Sequence, residues 1–191
     1  MAESAEFLFP LDKLKDLLNS NNSKYDIHES DLLSRNLRLR PLHKEDFSKG
    51  YLDLLAQHTK VGDVSAAKFA EQFQTMQAYK DIYYIVVIED LAAHKIVATG
   101  TLEIEHKFIH SAALRGRIED VVVDREASIK DYRYSQGNLA AVIMDVVTTM
   151  GKVLGCYKIS LESEDNIIKF YEKFGYKVEP GQNYMAVRYR S

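Results

Sequence analysis

Two carboxylates stand side by side in RIEDVVVD, Glu119 and Asp120, just ahead of three valines, Val121, Val122 and Val123. A strand places alternate residues on alternate faces. An adjacent acidic pair therefore points both ways. One reading is a wet edge or a bulge, where strand N–H and C=O groups are left free for a ligand. The other is a strand that begins in solvent and enters the core at Val121, since strand starts are commonly polar. The residues that follow end in Ser135, Gln136, Gly137, Asn138, Leu139 and Ala140 and run straight into a helical pattern. Unpaired amides at a helix N-terminus, with the helix dipole behind them, suit a phosphate. Gly137 and Ala140 would let a pyrophosphate approach the backbone closely. A plain strand-to-helix connection explains the same residues. In NIIKFYEKFGY, Phe170 and Phe174 read as core. Tyr171 either rests half-buried with its hydroxyl in water or offers a proton. A phenol of pKa about 10 can protonate a departing thiolate whose own thiol titrates near about 8.5.

The elements that must hold these groups follow from periodicity. NLRLRPL reads as a half-buried strand stopped by Pro41. Glu45 and Asp46 open a helix carrying Phe47, Tyr51, Leu54 and Leu55. Ser65 caps a second helix with Phe69, Phe73 and Met76 inside. YYIVVIED, IVATGTLEIEH and RIEDVVVD are three strands. A long helix carries Leu139, Val142, Ile143, Val146, Met150 and Val153 at three- and four-residue spacing. YKISLE is a strand, NIIKFYEKFG a helix ended by Gly175, and YKVE and NYMAVRYR close the chain as strands. Residues 1–35 stand apart. They hold a short amphipathic stretch with Phe7, Leu11, Leu14, Leu17 and Leu18 on one face, then a polar run. They read as a tail or as a short helix on the surface of a single domain spanning 36–191.

Composition removes several classes. The chain has 191 residues, one Cys and a formal net charge of -3. That length suits one domain. The charge gives no electrostatic case for nucleic acid, and no apolar stretch is long enough to span a bilayer. The N-terminus lacks the pattern of a signal peptide, and one Cys excludes an intramolecular disulfide framework. Together these point to the cytoplasm. His106 and His110, four apart on one strand, would share a face without a further metal ligand nearby, so no metal is expected. Walker-type, G-x-S-x-G and Cys/His motifs are absent from the sequence. Cys156 reads as a buried structural thiol.

The VVV strand, the loop into a helix and N-x-x-x-F-Y-x-x-x-G-Y, in this order, resemble the GNAT superfamily. EHKFIH, GRIEDVVV, CYKISLE and FYEKFGY are more specific still, and resemble glucosamine 6-phosphate N-acetyltransferase from Leu37 to the C-terminus. The resemblance implies an α/β fold of the α+β type. It has a mixed, twisted central sheet of about six or seven strands, splayed in the middle and flanked by about four helices. It implies acetyl transfer from acetyl-CoA to the amine of D-glucosamine 6-phosphate, on the route to UDP-N-acetylglucosamine, by direct attack on the thioester.

By position, Val121–Val123, residues 135–140, Asn166 and Tyr171 would hold acetyl-CoA. Thr59, Lys107, Phe108, Ile109, His110, Glu119, Asp120, Tyr157, Lys158 and Glu162 would meet the sugar phosphate. Glu119, Asp120 or Glu162 would orient or deprotonate the amine, and Tyr171 would protonate the CoA thiolate. Arg188 matches a phosphate-binding arginine supplied by the partner subunit of a homodimer. The sequence departs from the family where residues 127–134 lengthen the segment before the long helix and Ser135 stands at the start of the expected Arg-Gly motif. Two alternatives stay open: a GNAT for another amine, and a non-catalytic dimer partner with impaired CoA binding.

Overall fold

The computed structural model describes residues 6–19, 29–125 and 139–189. Five strands are formed: β1 (Leu37–Pro41), β2 (Tyr83–Asp90), β3 (Lys95–His106), β4 (Leu114–Val123) and β5 (Cys156–Ser160). They make one sheet in the order β1-β2-β3-β4-β5. The first four pair antiparallel, and β5 joins β4 in parallel. A parallel partner needs a crossover, and the long helix supplies it. In chain order the helices are α1 (Leu11–Leu18), α2 (Glu29–Leu33), α3 (Tyr51–Ala56), α4 (Ala66–Ala78), α5 (Leu139–Val153) and α6 (Ile168–Glu172).

The core follows the apolar patterns. Val86, Val87 and Ile88 of β2 and Ile143, Met144, Val146, Val147 and Met150 of α5 are fully buried. Each such side chain contributes roughly 1.5–3 kcal/mol. Two glycines let α5 sit this close to the sheet. A Cβ on Gly100 of β3 would stand 2.4 Å from Ile143 Cγ2, and one on Gly151 would stand 2.6 Å from Ile159 Cδ1. Ile159 thereby locks the end of β5 against α5.

Three expectations change. The closing segments YKVE and NYMAVRYR form no strand, so the described sheet has five strands and not six or seven. Alternation specifies an extended segment, but a strand also needs an edge to pair with. Residues 177–189 pair with no strand edge among the described residues and are exposed throughout. The helix expected from Glu45 begins only at Tyr51. Asp46 is drawn to Arg40 and to the His43 amide, and Gly50 turns left-handed at φ +75 to start the helix. His106 and His110 do not share a strand face, because β3 ends at His106 and His110 lies in a left-handed turn. Ser65 caps α4 as expected, its side chain accepting from the Lys68 amide at 3.2 Å.

The N-terminal segment lies on the sheet. Leu14 of α1 is buried, Phe9 meets Tyr84 edge-on at 5.0 Å, and the Lys13 ammonium bonds the Tyr84 hydroxyl at 2.7 Å. No helix among the described residues is long and apolar enough to cross a membrane.

Candidate active site

The two carboxylates of RIEDVVVD stand at a bulge. Thr99 pairs with Val122 and Thr101 with Glu119, so Asp120 and Val121 together face Gly100 alone. Asp120 takes the left-handed conformation, φ +52. A bulge bends its strand and raises the local twist. The consequence appears on the other edge of β4, where pairing with β5 runs only from Leu114 to Arg117 and ends at Arg117 opposite Ser160. Beyond it β4 and β5 diverge. The main-chain groups of Glu119–Val123 on that edge face no strand among the described residues.

Charged groups gather at the mouth of this cleft. Arg117 of β4 binds both Glu119 on its own strand and Glu162 beyond β5. The Glu119 hydrogen bond first, and then the charges of Glu119 and Glu162, raise the Arg117 guanidinium further. Arg117 was not singled out from the sequence. Its signal was the two-residue offset from Glu119, which places both on one strand face. Asp120 opens toward solvent, yet the protein around it raises its carboxyl, first by burial and then by the Glu119 charge, with His58 opposing. His58, one residue from Thr59 and just past the end of α3, is within electrostatic reach of the bulge. That end is tied to the end of β4, for the Arg125 amide donates to Gln57 Oε1 at 2.9 Å.

The EHKFIH segment forms a strained turn. His110, Ser111 and Ala112 are all left-handed, with φ between +52 and +61, and such positions cost of order 1–3 kcal/mol each. The turn stacks the His110 ring on Tyr157 of β5, centroids 4.2 Å apart. Lys107 pairs with Glu105, whose carboxyl is held below its usual range mainly by that hydrogen bond. Phe108 and Ile109 project outward, Phe108 completely exposed. Lys158 pairs with Glu179 at 2.8 Å.

Tyr171 lies on α6, half-buried, its ring packed edge-on to Phe170 at 5.2 Å. Burial raises its phenol. Among the described residues its hydroxyl makes no hydrogen bond. Leu139 is buried at the first turn of α5, and Ala140 follows it. Ser135, Gln136, Gly137 and Asn138, with the lengthened segment 127–134, lie outside the described residues. Asn166 is exposed in a short 3-10 turn, Asp165–Ile167. Arg188 is exposed and makes no ion pair among the described residues, so this chain does not bring it to the carboxylates. The described residues contain no cluster of His, Cys, Asp and Glu able to hold a metal.

A splayed mixed sheet, a bulged fourth strand and a crossover helix behind it define the GNAT acetyltransferase class. The chain superposes on the crystal structure of glucosamine-6-phosphate N-acetyltransferase from Arabidopsis thaliana with a TM-score of 0.70 and 33% identity, over 80% of this chain and 99% of that one. It superposes on an acetyltransferase of Trypanosoma brucei with a TM-score of 0.68 and 27% identity, over 79% and 99%. No protein-family model matches the chain. A probable glucosamine 6-phosphate N-acetyltransferase of Drosophila melanogaster is 44% identical over 80% of this chain and 67% of its own length. A glucosamine 6-phosphate N-acetyltransferase of Dictyostelium discoideum is 35% identical over 75% and 87%. The chain belongs to the glucosamine 6-phosphate N-acetyltransferase family.

Proposed function

We propose that this chain transfers the acetyl group of acetyl-CoA to the amine of D-glucosamine 6-phosphate, giving N-acetyl-D-glucosamine 6-phosphate and CoA in the cytoplasm. The observation that carries the reading is the open edge of β4 at the Asp120 bulge. Free strand amides there fit the amide-bearing arm of a coenzyme, and the names of the relatives favour this acceptor over another amine.

The chemistry needs no covalent enzyme intermediate. The amine nitrogen bonds to the thioester carbon while the C–S bond breaks. The main chain of Val121–Val123 holds the coenzyme arm and aims N–H groups at the carbonyl oxygen, where charge develops. Glu119, Asp120 and Glu162 receive the amino group, the thiolate takes its proton from Tyr171, and the proton that the acylated nitrogen sheds passes through solvent to restore the phenol. Thr59, Lys107–His110, Tyr157 and Lys158 border the sugar phosphate. Holding both substrates in one cleft removes much of the entropic barrier.

Purified chain, acetyl-CoA, the amino-sugar phosphate and a thiol reagent test this directly. One thiol should appear per sugar acetylated, and none without the sugar. A folded protein that releases no thiol refutes the reading.

A second copy of the chain completes the site in this proposal. Val178, Tyr184, Met185, Val187 and Tyr189 are all more than half exposed, Met185 at 88%. So much apolar surface on an extended segment suits pairing with another copy, which would carry the partner subunit's Arg188 to the phosphate. The intact chain should sediment as a dimer. Truncation after Gly181 should give a monomer with a raised KM for the sugar phosphate. A truncated chain that remains a fully active dimer would contradict the arrangement.

A further inference from the structure

Among the described residues two buried side-chain polar atoms have no hydrogen-bond partner, Thr101 Oγ1 and Arg115 Nε. The Arg115 guanidinium has other contacts, to Ser160 at 2.9 Å and Glu105 at 3.6 Å. Thr101 has a single hydroxyl and that hydroxyl has nothing. The residue is 6% exposed in the middle of β3. It follows Gly100, the residue facing the bulge, and pairs in register with Glu119. Two residues earlier on the same strand face, Thr99 is satisfied. Its hydroxyl donates to the Val86 carbonyl at 3.2 Å and is hydrogen-bonded to the Tyr51 phenol, which in turn feels the charge of Asp120.

A buried hydroxyl with no partner costs stability, and native folds leave few of them. Valine has the same shape, favours strands as strongly and leaves nothing unsatisfied. The hydroxyl is therefore explained by something that joins it during the reaction. A water fits, because a water in a protein interior needs two or more polar partners. Thr101 offers one from the strand, and Asp120, displaced by the bulge beside it, offers another.

We propose that Thr101 is a positioning residue: its hydroxyl and the Asp120 carboxylate hold between them a water that takes the proton of the acceptor's ammonium. This rests on the acetyl-transfer reading above. The ammonium gives one proton to the water, and the water gives one to the Asp120 carboxylate. The amine is left neutral, with its lone pair free to attack, and Asp120 returns the proton to solvent through its exposed side. The charged and titratable groups around Asp120 are Glu119 on its own strand, Tyr51 from α3, His58 just past the end of α3, and Arg117, paired to Glu119. Glu119 makes Asp120 a better base and His58 a poorer one.

The test compares the full-length chain with its T101V and T101S variants. T101V should melt at or above the temperature of the parent, since it removes an unsatisfied group, and should bind acetyl-CoA equally well. Its kcat should fall about tenfold or more. Its kcat/KM should lose the acid limb set by Asp120 and keep rising with pH toward the amine's own pKa. T101S, which keeps the hydroxyl, should stay within about threefold of the parent. A T101V protein with parental kcat and pH profile overturns the inference. So does one whose lost activity tracks a lower melting temperature. An inactive parent chain is a different failure, that of the acetyl-transfer reading itself.

Discussion

Tyr171→Phe should lower kcat by about 10²–10³-fold while leaving KM for both substrates nearly unchanged. The substitution deletes one oxygen. The ring keeps its edge-on contact with Phe170, and no hydrogen bond among the described residues is lost. Melting temperature should therefore hold, and the loss should fall on the step where the C–S bond breaks. Burial raises the phenol above its usual value of about 10, so the proton-donating form persists throughout the neutral range. The same dry surroundings disfavour a departing thiolate, which raises its appetite for a proton. Transfer is thus assisted from both sides. In the parent chain kcat should begin to fall only above about pH 10, and that limb should be absent in the Phe variant. Thiol-release kinetics across pH measure both features. A variant within threefold of parental kcat would remove Tyr171 from the proposed chemistry.

Arg40→Ala should produce the largest loss of stability, about 3–5 kcal/mol. Arg40 is 3% exposed and sits between two buried carboxylates, Asp46 at 0% and Glu89 at 4%. It holds Asp46 with two bonds of 2.7 Å and Glu89 with one of 2.9 Å, while Lys49 holds the other oxygen of Glu89 at 2.6 Å. Removing Arg40 leaves the Asp46 carboxylate with only the His43 amide among the described residues, and Glu89 with Lys49. For a domain of this size the melting temperature should drop by roughly 6–20 °C.

The pH dependence has a definite sign. Burial would raise the Glu89 carboxyl, but the Lys49 hydrogen bond and the charge and hydrogen bond of Arg40 outweigh it, and the net shift is downward. A depressed carboxyl contributes stability above its unfolded value near 4.5 and loses that contribution as pH falls through its lower folded value. The gap between parent and Arg40→Ala should narrow in acid, where the stranded Glu89 carboxylate becomes neutral. A gap constant from pH 7 to pH 3 would show that the guanidinium matters for packing and not for charge. The site should feel this variant too. Asp46 anchors the turn that precedes α3, and α3 carries Tyr51, whose phenol feels the charge of Asp120.

Glu119, Asp120 and Tyr171 were visible as candidate chemistry from residue type and spacing alone, and local patterns also placed the strands and the Ser65 cap. Those features depend on near neighbours: alternation in a strand, a three- or four-residue period in a helix, a side chain within reach of an amide three positions on. The lengthened segment 127–134 was legible as a departure, because chain length is itself local information.

Contacts between distant residues were not legible. Adjacent carboxylates fit either a solvent-facing strand start or a bulge. The choice fell to β3, where Gly100 faces both Asp120 and Val121 while its missing Cβ makes room for Ile143. Arg117 was overlooked because one of its two partners, Glu162, is 45 residues away. The closing segments had the alternation of strands and formed none among the described residues, since strand pairing needs an edge that sequence period cannot supply. Chain order determined which groups exist and the rhythm on which they repeat. The tertiary structure decided which of them meet, because a hydrogen bond or an ion pair depends on distances of a few ångströms between elements that no local rule brings together.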